Sequence, residues 1–115
     1  MNKIEADRVQ QTFNLGHQYE AAYDYFSSEQ LRHLLLYLNQ IQTELERTIA
    51  HYSLESTHDL LDDETPQIVR VFWFSRGIQD YYICVDGSGV IRAADHQTSK
   101  TLLRQVNAVI QSIRS

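Results

Sequence analysis

Sulfur and punctuation are scarce in this chain of 115 residues: one cysteine, one proline and four glycines. A lone cysteine, Cys84, rules out an internal disulfide and every metal motif built from several cysteines. It suits a reducing, cytoplasmic home. So little proline and glycine leaves small room for disordered linkers. No apolar run approaches the ~20 residues needed to cross a bilayer as a helix. The N-terminus, MNKIEADRVQQTF, carries charges where a signal peptide needs an apolar stretch, so no membrane association is expected.

Catalytic and metal-binding signatures are scarce too. None of the five histidines, His17, His33, His51, His58 and His96, pairs with another and a glutamate in the HExxH pattern. His58 and Asp59 stand near Asp62, Asp63 and Glu64, but without the spacing and central glycine of an EF-hand loop. The tetrapeptide Asp86-Gly87-Ser88-Gly89 resembles a phosphate cradle in composition only. A P-loop continues into a helix through Gly-Lys-Ser/Thr, and here a strand pattern follows. Neither a catalytic site nor a cofactor is expected.

What is present indicates one α+β domain over residues 1–115. The 43% hydrophobic and 22% charged content are those of an ordinary globular chain, long enough to bury a core unaided. The spacing predicts a helix from about Lys3 to Tyr25, or two short ones meeting near Gly16. Ser27 and Gln30 then have capping-box spacing, and Phe26 and Leu31 stand where a hydrophobic staple places its two ends. From this start Leu31, Leu34, Leu38, Ile41, Leu45, Thr48 and Tyr52 recur in steps of three and four, a short heptad-like seam. The seam suits either a hairpin with the first helix or a second copy of the chain. Ser53 to Pro66 reads as a loop. Strands follow over about Ile68–Ser75, Ile78–Val85 and Val90–Ala94, with turns at Arg76-Gly77 and Asp86-Gly87-Ser88-Gly89. A final amphipathic helix starts near Thr98 or Ser99. The expected order is ααβββα: an N-terminal helical hairpin, a three-stranded antiparallel meander and a C-terminal helix.

The strands are apolar on both faces, whereas a half-wet antiparallel sheet alternates apolar with polar. Both faces therefore need cover. The C-terminal helix is expected on one and the helical hairpin on part of the other, and the open sheet edges invite pairing. Homodimerisation follows as an expectation.

Charge is divided along the chain. Residues 1–64 carry four basic and twelve acidic side chains; residues 65–115 carry six basic and three acidic. The acidic half includes YEAAYDYF, where Tyr19, Glu20, Tyr23, Asp24 and Tyr25 combine phenol rings with carboxylates, a composition suited to protein contacts. Tyr19 and Tyr23 are expected on the buried stripe; Glu20, Asp24 and Tyr25 point elsewhere. These features favour a non-catalytic protein-interaction module: a regulator, adaptor, inhibitor or immunity-type protein. One alternative is a small-molecule sensor with an aromatic-lined pocket. Another is a single-stranded nucleic-acid binder using the sheet's arginines and aromatics, which the overall acidity (pI ≈ 5.4) disfavours.

Overall fold

The computed structural model describes residues 21–114. After a helical end at Ala21 and Ala22 and a turn through Phe26, the elements are α1 (Ser28–Thr48), β1 (Ser53–Asp62), β2 (Gln67–Arg76), β3 (Gln79–Asp86), β4 (Ile91–Ala94) and α2 (Lys100–Arg114). The four strands form one antiparallel sheet in sequential order. The meander thus has four strands, not three. The expected helix over Lys3–Tyr25, and hence the helical hairpin, lies mostly outside the described residues.

Helix α1 begins where its chemistry requires. Ser27 Oγ accepts from the Gln30 N–H at 3.1 Å, and Gln30 Oε1 accepts from the Ser27 N–H at 2.8 Å, closing the capping box. Leu31 is buried and Phe26 packs against the same cluster. Leu31, Leu38, Ile41 and Leu45 form the buried stripe. The seam is spent within the chain, against the sheet and α2. At the far end the Gln105 side chain holds Ala50 by both backbone groups, at 2.8 and 3.1 Å. His51, expected on a helix, sits in this connection at a φ of 71°.

Strand β1 is the main departure from expectation. Its sequence, SLESTHDLLD, lacks clean alternation because two polar residues face inward and find partners. Asp59 pairs in register with Arg70, and Thr57 donates to Gln42 Oε1 at 3.1 Å. The Asp62, Asp63 and Glu64 cluster then begins the turn into β2, with Asp62 accepting from the Glu64 and Thr65 N–H groups and the Thr65 hydroxyl. Ile78, expected in a strand, instead forms with Gly77 the two-residue turn between Arg76 and Gln79; Gly77 takes a φ of 63° and Ile78 is 97% exposed.

Both helices pack on the same face of the sheet. Their stripes join Leu61, Ile68, Phe72, Phe74, Ile83 and Val85 in one cluster. The expectation that the C-terminal helix and the second helix would take opposite faces is therefore corrected. The helical stripes run along one side of α1 and one side of α2, and both drain into this single apolar layer. On the opposite face Leu60, Val69, Val71, Trp73 and Cys84 form a second cluster with Tyr82, to which neither α1 nor α2 contributes a side chain. Apolar character on both faces of β2 is thus real, and both sets are buried.

The second turn locks sheet to helices. The Asp86 carboxylate accepts from the Ser88 N–H at 2.9 Å, the Ser88 hydroxyl at 2.6 Å and the Val90 N–H at 3.1 Å. Gly89 needs its φ of 83°, and a Cβ there would collide with the Tyr37 hydroxyl; one at Gly87 would meet Leu34 Cδ2 at 2.5 Å.

Candidate partner interface

Of the five residues singled out from sequence, Tyr19 and Glu20 lie outside the described residues. The other three share one turn. Ala22 is fully buried and its carbonyl accepts from the Tyr25 and Phe26 N–H groups at 3.0 and 2.9 Å. With Ala22 and Phe26 turned inward as anchors, Tyr23, Asp24 and Tyr25 are pushed outward. Tyr23 is 53% exposed and Tyr25 44%. Tyr23 is therefore not on a buried stripe: the helix ends before it, and the turn rotates its side chain away from the core.

Tyr23 borders a shallow groove of ≈ 250 Å³ that also touches Ser28, Arg32, Leu35 and Leu36 on α1. Leu36 and Asn39 are shared with a larger stretch of ≈ 570 Å³ that reaches Thr43, Glu44 and, on α2, Ile113. Glu44 in turn borders a third hollow of ≈ 280 Å³ between the helices, at Gln105 and Ala108. Shared residues link the three hollows into a shallow trough beside α1. Leu36, 47% exposed, stands where the first two meet. Leu36 and Ile113 were missed in sequence. The one available signal was that Leu36 falls off the Leu31–Leu38–Ile41–Leu45 stripe, inside an otherwise unbroken Leu34–Leu38 run.

The ionic clusters elsewhere are committed to structure. Arg70 is buried under α1, with Nε and Nη2 on Asp59 at 2.5 and 2.8 Å and Nη1 on Asn39 at 2.7 Å and Gln42 at 3.1 Å. Arg92 reaches Asp62 at 2.8 Å and Asp86 at 3.3 Å. Burial works to raise the pKa of Asp86, but the donors from Ser88, Val90 and Arg92 outweigh it and hold the carboxyl below its usual range. Arg76 lies over the Tyr52 ring, 5.6 Å from its centre. Burial pushes the Cys84 thiol up to about 11, so it is protonated and a poor nucleophile at neutral pH. His58 and Asp59 occupy successive positions of β1 and so face opposite sides of the sheet. Among the described residues no group of three or more His, Cys, Asp or Glu side chains is placed to hold a metal ion. No helix among them is long and apolar enough to cross a membrane.

No family model matches the chain, and no curated protein or solved structure matches it.

Proposed function

We propose that the protein is a non-catalytic interaction module, a regulator, adaptor, inhibitor or immunity-type protein. It receives a segment of another protein along the trough beside α1, acts in the cytoplasm and works as a homodimer. One observation carries this reading: Tyr23 and Leu36 stand exposed on a trough that continues to Ile113. Large apolar and phenolic side chains grouped this way favour burial by a partner, since each ~100 Å² of apolar surface removed from water contributes roughly 2.5 kcal/mol. Arg32 and Glu44 along the trough supply charges that would orient the incoming segment.

The test is capture of a partner from the native host by tagged wild-type protein and by a Tyr23→Ser, Leu36→Ser variant of unchanged circular dichroism. The reading expects the variant to lose a protein that wild type retains; equal capture by both would remove this surface. Light scattering tests the dimer separately: a mass near 13.4 kDa at high micromolar concentration contradicts it.

A second reading, small-molecule binding, is favoured by one observation: the ≈ 570 Å³ stretch has the volume of a ligand site. Its lining of Leu36, Asn39, Gln40, Thr43, Glu44 and Ile113 contains no aromatic side chain. A thermal-shift screen separates it from protein capture. The nucleic-acid reading draws no support from the sheet, where Arg70 and Arg92 are ion-paired and Phe72, Trp73 and Phe74 are buried.

A further inference from the structure

Opposite the helices, the antiparallel register sets His58 of β1 against Val71 of β2, one diagonal step from Trp73. The imidazole and indole rings stack, with centres 6.3 Å apart and planes at 30°. Tyr82 closes on Trp73 at 5.4 Å and 68°. Leu60, Val69, Val71 and Cys84 complete the cluster, and Trp73 is only 8% exposed. Within this setting His58 Nε2 is buried and has no hydrogen-bond partner. A neutral imidazole tolerates that by leaving Nε2 as the unprotonated acceptor; an imidazolium has a donor there that must be satisfied.

We propose that His58 and Trp73 form an acid-sensitive latch: proton uptake by His58 separates the stacked rings and loosens the apolar cluster on the face opposite α1 and α2. Among the described residues the surrounding charges do not stabilise an imidazolium enough to prevent this. Asp59, its neighbour on β1, is turned to the other face and held by Arg70 of β2. Asp62, further along β1, and Asp86 of β3 are paired with Arg92. From β3, Asp80, Tyr82 and Cys84 take this face, with Asp80 exposed at its end and the Cys84 thiol neutral, and Glu55 of β1 accepts from the Ser75 hydroxyl of β2. Burial consequently lowers the His58 pKa from 6.5, with Asp59 opposing only in part. As pH falls through 6.5 the unfolded chain takes up a proton that the folded chain resists, so stability declines until the folded value is passed. Attraction of an imidazolium to the indole face works the other way, and the NMR midpoint of His58 reads the balance.

Trp73 is the only tryptophan in the chain and reports on the latch directly. The experiment follows Trp73 emission and thermal unfolding of the full chain from pH 7.5 to pH 5, for wild type and His58→Phe, with the His58 ring protons of wild type titrated by NMR. The latch requires a His58 midpoint below 6.5 and an acid change in Trp73 emission that His58→Phe lacks. It also requires a fall in Tm at least about 4 °C larger in wild type than in the variant. A His58 midpoint at or above 6.5, or the same emission change in both proteins, would overturn it. If His58→Phe does not fold, the NMR midpoint alone decides.

Discussion

The residue whose loss should be felt most is Asp59. Arg70 is buried with four hydrogen bonds, two of them to this carboxylate. Removing one member of a buried pair leaves the other charge without compensation, at a cost of about 3–5 kcal/mol. Asp59→Ala is expected to approach that loss in urea unfolding, while Asp59→Ala with Arg70→Met should recover most of it. A double variant as unstable as the single one would refute the account. Gly89→Ala carries both backbone strain and a collision with Tyr37, whereas a Cβ at Gly77 meets nothing within 4 Å. The expected order of stability is therefore wild type, Gly77→Ala, Gly89→Ala, read from midpoints of the same unfolding curves. Cys84 should react with a thiol reagent in the native protein far more slowly than in denaturant, because burial both shields it and keeps it protonated.

At the scale of elements, α1 depends on its start. Ser27→Ala removes the acceptor for the Gln30 N–H and is expected to cost about 1 kcal/mol. Ser27→Asp, which restores an acceptor, should cost much less. The same start was plain in the sequence, because a capping box and a staple need only six consecutive residues. Strand β1 was not. It lies at the sheet edge, so much of it faces water, and its inward Thr57 and Asp59 look like loop residues until Gln42 and Arg70 are beside them. The candidate tract around Tyr23 was legible in part: Asp24 and Tyr25 point outward as their spacing indicated. Tyr23 follows them because the chain turns after Ala22, a break that helical periodicity did not announce.

For the whole molecule, acid stability tests how the two faces are held. Asp86 is held below its usual pKa, so its contribution is present above about pH 4 and lost as pH falls through the folded value. Asp86→Asn should therefore lower Tm at pH 7 and narrow the gap to wild type near pH 2, as measured by calorimetry; a gap independent of pH would mean the carboxylate charge is immaterial. The decline traced to His58 lies at higher pH, so the two are separable in one titration.

By itself the chain determined its local punctuation and its apolar inventory: the cap at Ser27, the turns at Gly77 and Asp86–Gly89, the two amphipathic stripes and a sheet apolar on both sides. Each of these depends on residues a few positions apart. Only tertiary structure decided that Ser53–Asp62 is a strand, that Arg70 is an interior ion, that α1 and α2 share one face, and that Leu36 and Ile113 border one trough. Those outcomes depend on partners tens of residues away. An inward carboxylate, or an off-stripe leucine, has no meaning until long-range pairing has set what stands opposite it.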